Sequence, residues 1–416
     1  MRSVRLPRDR HLDSTLAFVR EGYRFIGARC DHYRCDAFQT RLLLQRTVCL
    51  RGRDAARLFY DAERFERQGA MPRRVEATLQ GVGGVQGLDG PPHRRRKAML
   101  MSLMTPDSIE SLVRQFEREW QAQLGRWERD RRVVLYDEVG RILCRAVHAW
   151  AGVPLPESDV RRRTDDLHAM IDGPAGVGPR YWRGRRARGR AEAWLAALVR
   201  QVRAGQLDTE PERPLRVVAE YRDQQNRLLP PRTAAVEMLN LLRPTVAVDR
   251  FVTFTALALH HHPEWRNLLR SGLAPAEPFV QEVRRYYPIV ALLAARTRQS
   301  FDWHGFHFPR GRRVVLDLYG TNHHPDIWAE PDEFRPERFR HWSGDAYRFI
   351  PQGGADHHTG HRCAGERLTI ELMKAALDAL TTMAYDVPDQ DLSVSLRRIP
   401  TLPRSGFVMS NVRPAG

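Results

Sequence analysis

The sequence contains almost no lysine: among its 67 basic residues only Lys97 and Lys374 are lysines, and the rest are arginines. Its five cysteines are odd in number and form no Cys-x-x-Cys pair, which argues against a disulfide framework and indicates a reducing compartment. It has no run of ~20 uncharged apolar residues, so we predict no transmembrane segment. The first residues are arginine-rich and lack the apolar run of a signal peptide. We therefore expect a cytoplasmic protein.

The net charge of +17 suggests a nucleic acid or a membrane surface as a partner, but arginine is spread along the whole chain. Local clusters occur at 94–97, 161–163 and 183–190. Such runs are usually solvated faces, and no alternation of aromatic and basic residues typical of a nucleic-acid platform is present. Trp182, beside the last cluster, is the strongest exception. We predict no nucleic-acid partner; the alternative, a basic nucleic-acid binder, would show salt-sensitive retention on DNA.

Periodicity predicts a mainly helical chain with a small sheet region, and no linker or repeat divides residues 1–416, so we expect one large domain. The predicted helices cover 11–34, 54–61, a segment starting after Pro92, 106–124, 137–151, 191–204 and 233–262, the last capped by Thr233. The predicted strands are 38–45 paired with 47–51, 314–318, and a terminal hairpin of 392–396 with 407–410. Residues 211–231 read as a connecting loop.

Cys363 stands in a glycine-rich loop immediately before an amphipathic helix marked by Leu368, Leu372, Ala376 and Leu380. Backbone N–H groups and the helix dipole favour a thiolate at such a position. A thiolate there, with room for a flat ligand, suggests the axial ligand of a haem. A buried inert cysteine is one alternative. A zinc site made with His357, His358 and His361 is another, although this spacing fits no standard zinc site.

The longest apolar helical pattern contains Arg243 and Pro244 at adjacent positions. Proline inside a helix costs ~3 kcal/mol, and a buried guanidinium must be paired. Arg243 could reach solvent while Pro244 merely kinks the helix. However, two adjacent violations favour a functional site. An anionic ligand would compensate the charge.

Several of these stretches together resemble the cytochrome P450 superfamily and, more narrowly, the bacterial fatty-acid peroxygenases. The superfamily features are the Cys363 loop, Glu282-x-x-Arg285 on one helix face, and the loop 334–339. The narrower resemblance lies in 81–90, Leu242-Arg-Pro-Thr-Val-Ala247, 279–288, 316–323, 350–354 and 405–410. The resemblance implies a P450 fold with haem b held between the long central helix and the cysteine loop.

The resemblance also implies roles for individual residues. Cys363 would be the axial thiolate of the haem iron, and His93, Lys97 and His361 would hold the haem propionates. Gln86 would stand on the distal side, and Arg338 would complete a structural network with Glu282 and Arg285. The residues implied to line the substrate pocket are Gln80, Gln86, Ile171, Pro174, Arg243, Ile289 and Val290.

The implied reaction is hydrogen-peroxide-dependent hydroxylation of free fatty acids at the alpha or beta carbon. Arg243 and Pro244 replace the acid–alcohol pair of ordinary P450 monooxygenases, so no redox partner is expected. Arg243 would fix the substrate carboxylate, which would serve as the general acid–base. The alternatives are a decarboxylase giving terminal alkenes, a conventional monooxygenase with redox partners, and a haem-binding sensor. Two departures are Gln80, where relatives carry an apolar aromatic, and Asp356, where the superfamily has phenylalanine; the peroxygenases share the second.

Overall fold

A computed structural model describes residues 6–414, and the prediction of a mainly helical fold with small sheets is confirmed. The helices of the described chain are α1 (Thr15–Glu21), α2 (Arg24–Tyr33), α3 (Arg53–Phe59), α4 (Arg73–Val75), α5 (Gly90–Ser102), α6 (Pro106–Trp127), α7 (Leu135–Ala151), α8 (Glu157–Asp172), α9 (Pro179–Arg203), α10 (Pro214–Glu220), α11 (Pro231–Val246), α12 (Val248–His261), α13 (Pro263–Arg270), α14 (Ala276–Tyr286), α15 (Leu318–Asn322) and α16 (Glu366–Thr382). A π-helical turn, Glu76–Gln80, follows α4, and short 3-10 turns cover Val85–Gly87 and Pro336–Phe339.

The strands form three small sheets. They are β1 (Ala37–Leu42), β2 (Gln45–Leu50), β3 (Phe65–Glu66), β4 (Val133–Val134), β5 (Leu292–Thr297), β6 (Phe301–Trp303), β7 (Phe306–Phe308), β8 (Arg313–Asp317), β9 (Ala384–Asp386) and β10 (Val408–Arg413). The largest sheet has the order β1-β2-β8-β5-β3, in which only the β2–β8 pair is parallel. The other two have the orders β4-β10-β9 and β6-β7. The main core lies between the helices, with α11 and α12 buried along most of their length.

Several predicted boundaries were wrong at the amino-terminal half. The expected helix over 11–34 is two helices, because Gly22 has a positive φ of 62° and packs against the backbone of Leu396 and Arg397. The expected helix at 191–204 begins at Pro179, twelve residues earlier. The expected loop at 211–231 contains α10, which buries Leu215 and Val218.

The long helix expected over 233–262 is divided at Ala247, the residue between α11 and α12. Pro244 has no N–H for the carbonyl of Asn240, and the helical course ends within one turn after it. Pro230, not Thr233, occupies the N-cap position. The predicted terminal hairpin was also wrong, because β10 pairs with β4 and β9, while Val394 only bridges to Pro403.

Among residues 6–414, no helix is both long and apolar enough to cross a membrane.

A fully buried ion pair ties α14 to the loop before the cysteine segment. Arg285 donates to both carboxylate oxygens of Glu282 at 2.7 Å, and neither side chain is exposed. Arg338 donates to the same carboxylate at 3.2 Å, as does the backbone N–H of Arg335 at 2.7 Å. Arg285 also donates to carbonyl oxygens of Asn322, Pro331 and Glu333, so this cluster joins α14, α15 and the loop that follows.

Replacing Arg285 by alanine should lower the free energy of unfolding by about 3–5 kcal/mol, because Glu282 would remain buried without its main partner. Chemical denaturation would measure the change. The matched control is Arg114→Ala, which removes an ion pair with Glu110 whose side chains are 57% and 66% exposed. That control should change the free energy by less than about 1 kcal/mol. Equal effects of the two substitutions would contradict the prediction.

Candidate functional site

Cys363 lies three residues before α16, in a loop fixed by backbone and side-chain contacts. Its N–H donates to the carbonyl of Gln352 at 3.1 Å, and Gln352 Nε2 lies 3.7 Å from its sulfur. Gly353 has a φ of 94°, and a Cβ there would come within 2.9 Å of the Tyr60 hydroxyl. Tyr60 in turn accepts from Gly354 N–H at 2.8 Å. The loop therefore requires glycine at 353, where its backbone turns against Tyr60.

Desolvation, followed by the nearby charge of Glu366, raises the pKa of the Cys363 thiol. The N–H of Gly365, Lys97 and Arg284 oppose this shift without cancelling it. Burial therefore works against the thiolate that the glycine-rich loop before α16 favours. A bound metal cation deprotonates a coordinating thiol, so the site suits a sulfur that ionises when iron binds. In this respect Cys363 fits a haem iron.

His93, Lys97 and His361 lie together where α5 meets the cysteine loop. The rings of His93 and His361 stack with centroids 3.8 Å apart, and Lys97 Nζ donates to the carbonyl of Arg362. Burial, with added repulsion from His361 and Lys97, lowers the pKa of His93 to about 3. Burial lowers the pKa of His361, and Asp89, whose carboxylate lies 3.7 Å from its Nε2, opposes that shift.

Arg67 joins this group although the sequence did not point to it. With His93 and His361 it lines a cavity of about 550 Å³. Its Nη1 is buried and has no hydrogen-bond partner within residues 6–414, and burial lowers its pKa to about 10. Unpaired buried donors are costly, so this edge of the cavity fits an anionic group. The propionates of a haem have the required charge, and Arg67, His93, Lys97 and His361 would hold them.

Arg243 is 7% exposed on α11 and forms no ion pair with any carboxylate of the described chain. Its Nη1 donates to the carbonyl of Leu79 in the π-helical turn. Arg188 of α9, 1% exposed, donates to the same carbonyl at 2.7 Å and pairs with Glu192 at 2.6 Å. Burial and the charge of Arg188 lower the pKa of Arg243 to about 9, and Cys363 opposes the shift. A charge in this position lacks a counter-ion that the described protein could supply.

Gln86 is connected to the same helix face through Asn240. Asn240 Nδ2 donates to Gln86 Oε1 and to Glu237 Oε2, both at 3.1 Å. Glu237 is fully buried and accepts from Arg96 at 2.6 Å and from Val85 N–H at 2.9 Å. Burial raises the pKa of Glu237, against the opposing effects of Arg96, Asn240 and Val85 N–H.

Of the predicted pocket residues, Gln80 and Gln86 meet at a cavity of about 80 Å³, which Leu293 and Ala294 also line. Ile171, Pro174, Ile289 and Val290 do not line that cavity, and neither does Arg243. Ile171 is buried on α8, Pro174 lies in the loop before α9, and Val290 is 38% exposed. The carbonyl of Ile289 accepts from the Tyr23 hydroxyl at 2.8 Å. The substrate roles of these four residues stay predictions.

The residues missed in the sequence are Arg67, Arg188, Glu237 and Asn240. One signal could have revealed two of them, because Glu237, Asn240 and Arg243 recur every three residues in an otherwise apolar helix. The zinc alternative finds no support in the geometry, since residues 6–414 contain no group of three or more His, Cys, Asp or Glu side chains placed to hold a metal ion.

Comparisons with known proteins identify the family to which this chain belongs. A family model described as cytochrome P450 matches residues 270–382. A variant of cytochrome P450SP alpha (CYP152B1) is 48% identical with a TM-score of 0.95, over 97% of this chain and 100% of that one. Cytochrome P450EX alpha (CYP152N1) with myristic acid is 43% identical with a TM-score of 0.96, over 98% and 99%. A variant of cytochrome P450 OleT in complex with arachidonic acid is 36% identical with a TM-score of 0.97, over 99% of each chain.

Several curated proteins match over shorter stretches. Cytochrome P450 3A29 of Sus scrofa is 39% identical over 102 residues, which are 24% of this chain and only 19% of the length of that protein. The solved structures, in contrast, are covered along their whole length, and their fold is that predicted from the sequence. The chain belongs to the cytochrome P450 superfamily and, within it, to the CYP152 fatty-acid peroxygenase family, whose members bind haem b.

Proposed function

We propose that this protein uses hydrogen peroxide to hydroxylate free fatty acids at the alpha or beta carbon. The observation that carries the proposal is the buried charge of Arg243, which has no carboxylate partner in residues 6–414. A fatty acid brings one carboxylate and a long apolar chain, so it supplies the missing counter-ion. Two of the similar structures contain myristic acid and arachidonic acid, which are ligands of this kind.

Arg243 would hold the carboxylate through its planar pair of N–H donors, which matches the two carboxylate oxygens. Since Leu79 O already accepts from Arg188 at 2.7 Å, Arg243 can turn from this carbonyl to a carboxylate without leaving the carbonyl unpaired. This would fix the acid head at Arg243, three residues along α11 from Asn240, whose Nδ2 donates to Gln86 Oε1, and would leave the first carbons of the substrate next to it. Positioning of this kind selects the alpha and beta carbons for oxidation.

The bound carboxylate would also move the proton that peroxide cleavage requires, since α11 offers no acid–alcohol pair. Pro244 has no side-chain donor, and the Thr245 hydroxyl donates to the carbonyl of Leu241 at 2.9 Å. Cys363 would hold the haem through its sulfur, and a haem with thiolate ligation would supply the redox chemistry that oxidation by peroxide requires. With peroxide as the oxidant, no redox partner is needed; a conventional monooxygenase would need one.

Decarboxylation to a terminal alkene is the second candidate. It requires the same carboxylate position, which Arg243 would supply, but a different fate for the substrate after hydrogen abstraction. Gln86 cannot titrate near neutral pH, whereas a histidine could deliver a proton. The amide at this position therefore favours the hydroxy acid as the main product.

Replacing Cys363 by alanine should abolish the strongly red-shifted Soret band of the reduced, carbon-monoxide-bound protein, because that band requires thiolate ligation. Absorption spectroscopy measures it. Cys144→Ala is the matched control, since Cys144 is buried in α7 and contacts His148. The control should retain the band. A Cys363→Ala protein that kept it would rule out Cys363 as the ligand.

Replacing Arg243 by alanine should leave haem bound but reduce peroxide-driven fatty-acid oxidation. Loss of a buried charge pair costs about 3–5 kcal/mol, which corresponds to a fall of roughly 10²–10³-fold or more. Arg243→Lys keeps the charge without the planar pair of donors, so its activity should lie between those of the wild type and Arg243→Ala. In Arg243→Ala, a short added carboxylate should restore oxidation of substrates that lack an acid group. Undiminished fatty-acid turnover by Arg243→Ala would refute the proposed role.

Replacing Gln86 by histidine should raise the share of terminal alkene among the products, since histidine adds a group that titrates near neutral pH. Mass spectrometry of products from the wild type and the variant would measure the ratio of alkene to hydroxy acid. The wild type should give mainly hydroxy acid. Terminal alkene as the main wild-type product would instead make decarboxylation the principal function.

A further inference from the structure

The amide of Gln86 can face the cavity with either its oxygen or its nitrogen, and the two choices give opposite hydrogen-bonding properties. A carbonyl oxygen only accepts, whereas the NH₂ group donates. In the structure Gln86 Oε1 accepts from Asn240 Nδ2 at 3.1 Å, and no residue of the described range 6–414 accepts from Gln86 Nε2. The NH₂ group is thus the free end of this side chain, which lines the cavity of about 80 Å³.

The orientation of an amide is inferred from its hydrogen-bond partners. One of those partners must therefore be a group that can only donate or only accept. Glu237 is such a group. Its carboxylate accepts from Arg96 at 2.6 Å and from Val85 N–H at 2.9 Å through the same oxygen, Oε1. Its second oxygen, Oε2, accepts from Asn240 Nδ2 at 3.1 Å. The ion pair with Arg96 and the hydrogen bond from Val85 N–H favour the ionised carboxylate, which cannot donate, so Asn240 must present nitrogen to it.

Asn240 then fixes Gln86. One Nδ2 group supplies one hydrogen to Glu237 and the other to Gln86, so Gln86 must present oxygen. This choice leaves Asn240 Oδ1 buried without a partner in residues 6–414. An orphaned carbonyl oxygen is unfavourable, and the charge-assisted contacts of Glu237 offset it. Each donor and acceptor is thus fixed in turn, from Arg96 to Glu237, then Asn240, and finally Gln86.

The backbone beside this chain of contacts packs closely against α11 at Gly84. A Cβ at Gly84 would lie 3.0 Å from Asn240 Nδ2 and from Val236, and 3.1 Å from the carbonyl of Gln80. Glu237 binds Val85 N–H directly, so it holds the backbone next to Gln86 as well as the orientation of the Gln86 side chain. Glu237 and Asn240 therefore join the loop 84–86 to α11.

We propose that Glu237, through Asn240, is a positioning residue that makes Gln86 a hydrogen-bond donor toward the ligand or oxidant bound beside it. The reaction context of this inference rests on the proposed function, but the polarity of Gln86 does not. Neither Glu237 nor Asn240 is a catalytic residue in this scheme, since neither touches the cavity described above. Their effect on the reaction passes through the Gln86 amide.

Glu237→Gln tests the inference because its effect on each amide can be worked out. Arg96 and Val85 N–H both donate to the position of Oε1, so the new amide must place oxygen there and NH₂ toward Asn240. Asn240 would then turn its oxygen to residue 237 and to Gln86. Gln86 would turn its NH₂ toward Asn240 and its carbonyl into the cavity. Glu237→Gln, which barely changes the size of the side chain, would thus make Gln86 present an acceptor to the cavity instead of a donor.

The carbon-monoxide stretching frequency of the reduced holoenzyme reports this polarity without any turnover. A donor near the bound ligand lowers the frequency, and an acceptor raises it. We expect Glu237→Gln to shift the band to higher frequency than in the wild type. Gln86→Leu, which removes the donor, should shift it in the same direction. In the double variant, Glu237→Gln should add no further shift to that of Gln86→Leu, since nothing remains to reorient.

Asp166→Asn is the matched control, since Asp166 is also a buried carboxylate, 5% exposed, paired with Arg190 between α8 and α9. It should leave the band unchanged. If Glu237→Gln does not bind haem, Asn240→Ala decides, because a released Gln86 should give a split or broadened band. An unshifted band in Glu237→Gln, or an equal shift in the presence and absence of Gln86, would overturn the inference. If the predicted band shifts occur but the protein does not oxidise fatty acids with peroxide, the inference about Gln86 holds and the proposed function is rejected.

Discussion

The guanidinium of Arg243 is buried on α11 against a second buried arginine, Arg188, and the nearest acceptor that both share is a neutral carbonyl, that of Leu79. Burying one charge without a counter-ion is expensive, and a second cation nearby adds repulsion. Glu192 compensates Arg188 from within α9, but nothing comparable reaches Arg243 within residues 6–414. The buried charge of Arg243 therefore has no carboxylate partner among these residues, and this is the observation behind the proposed carboxylate site.

The same helix carries an acid that is fully compensated. Glu237 lies two turns before Arg243 on α11, and Arg96, Asn240 and Val85 N–H satisfy it. Along α11, Glu237 is paired with a cation, whereas Arg243, six residues later, has no carboxylate partner within residues 6–414. Glu237 accepts from Val85 N–H and so ties the loop 81–87 to α11.

Local violations of sequence rules were the most informative signals for the site. Arg243 and Pro244 in an apolar helix, and the spacing of Glu282 and Arg285, could be read directly from the chain. Partners far apart in sequence could not: Asn240 contacts Gln86 across 154 positions, and nothing local to either residue indicates it. The helix beginning at Pro179 was also hidden, because its first turns are arginine-rich and resemble a charged loop. Their burial of Ala187 and Arg188 depends on tertiary packing.

The near absence of lysine gives the molecule an unusual chemical property. Lys97 is 3% exposed and donates to the carbonyl of Arg362, whereas the side chain of Lys374 is 32% exposed beside Glu371. Lys374 belongs to α16, the helix that follows the cysteine loop. An amine-selective reagent therefore meets one accessible lysine side chain, that of Lys374. A fluorophore attached there would report on the helix behind Cys363 without a mutation to introduce it.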